Sequence, residues 1–222
     1  MLSEERRQHC QIETEFLACG AALLRAQTVL VEIEDQTLNA QKLAALDSLT
    51  SLPNRRHFGD CVRTALAGAV PAGVSVATLY LDLDGFKSIN DMHGHHVGDQ
   101  VLRIVAKRLV RALRAQDRVG RLGGDEFACL LTNLPDESQL KQLACKLFDA
   151  VSEPMRVDSL ELTVRASIGI ATYPRDGETS DALLRSADEA MYSAKRQQSG
   201  FAFFERGPAL RAAVRGMHAG AI

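Results

Sequence analysis

The run Val74–Asp82, Val-Ser-Val-Ala-Thr-Leu-Tyr-Leu-Asp, constrains the fold more than any other stretch of the chain. It is short, rich in β-branched residues and almost continuously apolar, the pattern of a strand buried on both faces. Such a strand requires sheet neighbours on either side and helices above and below. Its flanks supply them. Arg55–Val70 has apolar residues at helical spacing, broken by Pro71-Ala72-Gly73. After the strand comes a loop punctuated by Gly94 and Gly98. Val97–Leu113 then sets Val101, Leu102, Val105, Leu109 and Leu113 on one broad helical face. Arg118–Arg121 and Phe127–Leu131 read as short strands around Gly123-Gly124, a hairpin. Glu137–Val151 is another amphipathic helix, capped by Asp136 or Ser138. Leu160–Ala171 alternates as a strand. Ser180–Gln197 is helical, with Asp181 near its start and Lys195 and Arg196 near its end, as the helix dipole favours. Phe201–Phe204 forms a last strand. The order β-α-β-β-α-β-α-β gives an α/β (α+β) fold: a ferredoxin-like βαββαβ core with added helices and a strand.

An N-terminal helix precedes this core. Residues 1–46 hold no proline and one glycine, and a seven-residue repeat can be laid on them. Phe16, Leu23, Leu30, Thr37 and Ala44 fill one position; Ile12, Cys19, Ala26, Ile33 and Ala40 fill the other. The segment is either a coiled-coil seam with a second copy or an amphipathic helix packed on its own domain. The turn formers of Asp47–Asn54 place the boundary, giving a helical segment 1–46, a globular domain 47–205 and an irregular tail 206–222. That tail is either frayed or the start of something further.

Composition excludes several classes. With 46% apolar and 24% charged residues, the chain has ample material for a core and is not disordered. Its 26 basic and 28 acidic residues leave a formal charge of −2, which argues against binding duplex nucleic acid by charge. Five cysteines without a Cys-x-x-Cys pair argue against a disulfide framework or zinc site and fit a reducing cytoplasm. Cys129 and Cys145 sit in apolar runs and read as small core residues. Glu4, Glu5, Arg6 and Arg7 stand where a signal peptide would need apolar residues. Ala18–Leu24 is far short of the ~20 residues that span a bilayer, so no direct membrane insertion is expected.

Two acidic clusters carry the chemistry. Asp82 and Asp84 end the buried strand, and Asp125 and Glu126 follow the glycines of the hairpin. In a βαββ unit these elements are sheet neighbours, so the clusters can face each other across one edge. Close carboxylates repel and resist burial, and a hard divalent cation removes the conflict. Mg²⁺ takes one or two carboxylates and lets substrate phosphates complete its shell. Each feature alone also fits a plain turn or hairpin tip, so the residues point to a metal-dependent phosphate enzyme without fixing one. His93, His95 and His96 are split by Gly94 with no cysteine nearby, against a zinc site.

Arg121-Leu122-Gly123-Gly124-Asp125-Glu126-Phe127 resembles the signature of the GGDEF family of diguanylate cyclases. Asp47–Arg56 resembles that domain's opening motif. Asp82–Asp91 and Gly94–Asp99 resemble its substrate segment, and Ser167–Ala171 and Ala187–Lys195 its later motifs. The resemblance implies a fold like the palm of nucleotide cyclases and polymerases. It implies synthesis of cyclic di-GMP from two GTP by a homodimer, with Mg²⁺ as cofactor and Mn²⁺ as a substitute. By the same resemblance Asp82, the Leu83 carbonyl, Asp125 and Glu126 match metal ligands, and Asp125 also the general base. Asn90 and Asp99 match readers of the guanine edge, and His95 a further substrate contact. The backbone at Phe86 and Lys87 and the Lys195 side chain match groups that hold the terminal phosphates. Arg114 and Asp117 match an R-x-x-D site where cyclic di-GMP binds as inhibitor; on pattern alone they form an ion pair along a helix end. One departure stands out. Many members carry an arginine four residues after the lysine, and here that position is Ser199. The alternative is therefore a regulatory module that binds GTP or cyclic di-GMP without turnover.

Overall fold

The computed structural model describes residues 20, 27–31, 33, 45–72, 75–133 and 136–205. The chain divides into two units, Met1–Ala44 and Ala45–Ile222. In the first, residues 27–31 and 33 are helical, and Val29, Leu30, Val31 and Ile33 are exposed. Leu30 and Ile33 belong to the heptad pattern; its other members, and the tail 206–222, lie outside the described residues.

In the second unit the elements run α1 (Arg55–Ala72), β1 (Val76–Asp84), α2 (Phe86–His93), α3 (His95–Ala112), β2 (Arg118–Gly123), β3 (Glu126–Thr132), α4 (Glu137–Ser152), β4 (Met155–Val157), β5 (Leu160–Leu162), β6 (Arg165–Tyr173), α5 (Ser180–Gln197) and β7 (Phe201–Phe203). Five strands form one sheet in the order β2-β3-β1-β6-β7, all antiparallel except β6 with β7. The expected βαββαβ core is present, with β1 at its centre. Strand β1 buries both faces because its side chains alternate between two layers. Leu79, Leu81 and Leu83 pack with Phe127, Ile168, Val101 and Leu147 under α3 and α4. Val76 and Tyr80 pack with Phe58, Leu130, Leu183 and Met191 under α1 and α5. Each fully buried large side chain contributes about 1.5–3 kcal/mol.

Three local expectations are corrected. The segment after β1 is not a loop: Phe86–His93 is helical, and α3 starts at His95 with Gly98 inside it. Gly85 (φ 73) and Gly94 (φ 82) stand at the ends of α2, and the eight residues between them hold no breaker. Leu160–Ala171 is two strands rather than one, because β5 pairs with β4 in a separate hairpin before β6 begins. Cys145 is exposed, one helical step from buried Ala144, whereas Cys129 is buried as expected. The cap of α4 is Asp136, whose Oδ1 accepts from the Gln139 N–H at 2.8 Å. No helix among the described residues is long and apolar enough to cross a membrane.

One close approach positions the site. A Cβ on Gly169 of β6 would lie 1.9 Å from the Ala187 carbonyl oxygen and 2.1 Å from the Met191 nitrogen of α5. Glycine there lets α5 lie against the sheet. The last turn of α5 thereby carries Lys195 to the end of β1.

Candidate active site

The two acidic clusters meet as expected. Asp82 on β1 is the cross-strand partner of Glu126 on β3, and Asp125 sits in the turn between β2 and β3. Lys195 donates to Asp82 Oδ1. Burial, then the neighbouring Asp82 charge, holds the Asp125 carboxyl above the usual carboxylate range, although Lys195 partly offsets this. Lys195 is in turn raised, chiefly by its hydrogen bond to Asp82 and further by Asp84 and Asp125. Asp84 accepts from the Ser167 hydroxyl at 2.9 Å.

Glu126 is held differently. Arg55, the first residue of α1, donates through Nη2 to Glu126 Oε2 at 3.0 Å and to the Tyr80 hydroxyl at 3.1 Å, and through Nε to the Leu122 carbonyl at 3.2 Å. Burial, reinforced by Glu126, pushes the Tyr80 phenol up to about 12. Asp188 on α5 is also raised, first by desolvation and then by the Glu126 charge. Sequence reasoning gave Arg55, Tyr80 and Asp188 no role. Asp188 carried a signal, since it precedes Lys195 by two helical turns on one face. The Arg55–Tyr80 contact joins positions 25 apart in different elements and carried none.

The opening turn braces the hairpin. The Arg121 N–H donates to the Pro53 carbonyl at 2.9 Å, tying residues 47–54 to the edge of β2. Arg121 Nη1 reaches Asp47 Oδ1 and Oδ2 at 3.0 and 3.1 Å, while its Nε and Nη2 reach the Gly124 carbonyl at 2.9 and 2.6 Å. Asp47 also accepts from the Thr50 N–H at 2.8 Å and hydroxyl at 2.6 Å. Burial opposes its ionisation, but these hydrogen bonds outweigh burial and keep its carboxyl below the usual range.

The helix pair α2–α3 carries the other named residues. Phe86 is buried and Lys87 exposed at the start of α2, whose cap Gly85 offers no side-chain hydrogen bond. Asn90 and Asp99 are partly exposed, and His95 is exposed. A Cβ on Gly98 would fall 1.9 Å from Asn90 Oδ1 and 3.1 Å from Phe86 Cζ, so this glycine makes room for the Asn90 amide beside Asp99. Arg114 and Asp117 lie in the turn after α3, at the opposite end of β2 from Gly123, on the order of 20 Å away. The ion pair that the pattern alone would give is not formed between their side chains: Asp117 Oδ2 accepts from the Arg114 backbone N–H at 3.1 Å. Both line a cavity of about 460 Å³ with Lys146 and Gln142.

Among the described residues no three His, Cys, Asp or Glu side chains are arranged to hold a metal ion by themselves. The donor set nevertheless fits a hard cation. The Asp82 and Asp125 carboxylates repel one another, and the positive charge already drawn between them is the Lys195 ammonium. Two carboxylates form an incomplete, oxygen-only set of the kind Mg²⁺ accepts when phosphates and water supply the remainder.

Comparison with known proteins shows the family of the chain. Residues 44–200 match the family described as "Diguanylate cyclase, GGDEF domain". The bifunctional diguanylate cyclase/cyclic di-GMP phosphodiesterase MucR of Pseudomonas aeruginosa is 41% identical over 196 residues, 88% of this chain and 27% of MucR. The diguanylate cyclase TpbB of the same species is 42% identical over 182 residues, 82% of this chain and 42% of TpbB. The chain thus spans less than half the length of these relatives. The crystal structure of the coiled coil and GGDEF domain of DgcB from Caulobacter crescentus, in complex with c-di-GMP, superposes with a TM-score of 0.73 at 28% identity, covering 82% of this chain and 97% of that one. The chain belongs to the GGDEF family.

Proposed function

We propose that this protein is a diguanylate cyclase that joins two GTP into cyclic di-GMP and releases two pyrophosphates. One observation carries the reading. The Asp125 carboxyl, with its proton affinity raised, lies beside Asp82 and Lys195 at the tip of the signature hairpin. A carboxylate with raised proton affinity is the better acceptor for the proton of a sugar hydroxyl.

Asn90 and Asp99 bind the guanine, whose N1–H and N2–H₂ donors suit an amide oxygen and a carboxylate. His95 adds a contact. The Phe86 and Lys87 backbone N–H groups and the Lys195 ammonium hold the terminal phosphates, as an open helix start and a cation do. Asp125 takes the proton from the 3′-hydroxyl. The 3′-oxygen then bonds to the α-phosphorus of the other GTP, and the bond to pyrophosphate breaks. The same exchange in the other direction closes the ring. Asp82, the Leu83 carbonyl, Asp125 and Glu126 would hold Mg²⁺ or Mn²⁺, which would supply charge neutralisation at the phosphate. One chain presents one such half-site, so two copies must meet, and residues 1–46 are the segment that pairs them. The catalytic domain is 47–205 and 206–222 its tail, acting in the cytoplasm.

Arg114 and Asp117, with Lys146 beside them, form a site for the product, which inhibits the enzyme. Arginine pairs with phosphate or stacks on a base, and aspartate accepts from a guanine edge. The second reading, a module that binds GTP without turnover, is favoured by Ser199 at the position of the customary arginine. Incubation with GTP and Mg²⁺, followed by product analysis, separates the two. Cyclic di-GMP from the unmodified protein and none from Asp125→Ala supports the cyclase. GTP bound with no product from either establishes the module.

A further inference from the structure

The phosphate end of the half-site is short of positive charge. Asp82, Asp84 and Asp125 all act on Lys195, and the Lys195 ammonium is already engaged by Asp82. A triphosphate entering here adds several negative charges to a cluster whose Lys195 ammonium is already committed. Arg196 follows Lys195 along α5 and is therefore turned by about 100° from it.

Strand β6 supplies another cation. Arg165 begins β6 and is the cross-strand partner of Asp84, next to the Asp82–Ser167 pair. Cross-strand partners project from the same face of a sheet. The Ser167-to-Asp84 hydrogen bond confirms that face, which is also the one that Lys195 overlies. Arg165 is exposed. Among the described residues its guanidinium makes no hydrogen bond or ion pair. Asp84 is followed directly by Gly85 and the uncapped start of α2. An uncommitted guanidinium thus stands one strand over from the helix start that Phe86 and Lys87 open.

We propose that Arg165 is the second phosphate-binding cation of this half-site, contacting the terminal phosphates of a nucleoside triphosphate alongside Lys195. The guanidinium fork matches two phosphate oxygens at once, which a single ammonium cannot do. The inference rests on the half-site binding GTP, and does not require that the protein turn it over.

The test is calorimetric titration of the full chain, with Mg²⁺ present, using the α,β-methylene analogue of GTP and, separately, GMP. Arg165→Gln is expected to weaken the triphosphate analogue by about tenfold or more while changing GMP binding by less than about twofold. Arg165→Lys is expected to recover part of the loss. Equal weakening of both nucleotides would mean that Arg165 acts through the fold, and unchanged binding of the analogue would mean no contact; either result overturns the proposal. An unmodified protein that binds neither nucleotide removes both the proposed function and this inference. One that binds the analogue with the expected Arg165 dependence yet makes no cyclic di-GMP removes the cyclase reading alone.

Discussion

Asp47 and Asp125 lie close to the same hairpin and have opposite electrostatics. Asp47 receives hydrogen bonds from Thr50 and Arg121, and its carboxyl is held below the usual range. Asp125 is partly buried beside Asp82, and its carboxyl is held above that range. Both lose water around them, so burial does not distinguish them. The difference is the supply of donors. A carboxylate whose lone pairs are filled is part of the scaffold, whereas one left facing another carboxylate retains affinity for protons and cations. Arg121 joins the two cases, since one side of its guanidinium holds Asp47 and the other holds the Gly124 carbonyl next to Asp125.

Arg121→Ala is the strongest way to break this contrast. It strips Asp47 of its counter-charge and releases the Gly124 carbonyl. Arg121 and Asp47 are 12% and 20% exposed, so the lost pair is largely out of solvent. We expect a loss of about 3 kcal/mol in urea unfolding. Product formation should fall more than GTP affinity, because the tip that carries Asp125 is loosened while Asn90 and Asp99 are untouched. Full stability in the variant would show that the turn 47–54 is held by its backbone contacts alone.

The contrast can also be sharpened by pH. A depressed folded pKa gives Asp47 a stabilising contribution that is present above its unfolded value of 3.8 and lost as the pH falls through the folded value. Asp47→Asn should therefore cost about 2 kcal/mol near neutral pH, with the gap to the unmodified protein closing below that value. Asp125 has the reverse sign. Its raised folded pKa makes the ionised form a liability, so Asp125→Asn should match or exceed the unmodified protein near neutral pH, with the difference vanishing as Asp125 protonates. Urea midpoints measured across that range check both. Destabilisation by Asp125→Asn at neutral pH would contradict the environment described here.

Much of this was legible in the sequence, and what was not follows a pattern. The central strand, the hairpin and the meeting of Asp82 with the Asp125–Glu126 pair came from periodicity and chain order alone. The helix α2 was missed because its eight residues are bounded by glycines that read as loop punctuation. Cys145 was misplaced because a helical step of about 100° separates inward from outward at Ala144 and Cys145. The network of Arg55, Tyr80 and Glu126 was invisible because it joins a helix start, a strand interior and a hairpin across 71 residues. Local patterns specify elements and their faces. Which side chains touch where three elements converge is decided by packing.

Glu126 offers the finest version of the comparison, since it adjoins Asp125 in sequence and has one oxygen, Oε2, engaged by Arg55. Its partners are Arg55 and, through the shared guanidinium, Tyr80. Tyr80 is buried, and its hydroxyl lies at the boundary between the α1–α5 core and the carboxylates. Tyr80→Phe removes that hydroxyl and keeps the ring, so packing is preserved and only polar contacts are lost. The expected cost is about 1 kcal/mol of stability, the net worth of an ordinary hydrogen bond. Arg55 and Glu126 remain able to pair, so product formation should fall by no more than about threefold. A far larger fall in turnover, with stability unchanged, would mean that the Tyr80 hydroxyl sets where Glu126 stands. It would make Tyr80 a positioning residue for the Glu126 carboxylate that is proposed to hold the metal.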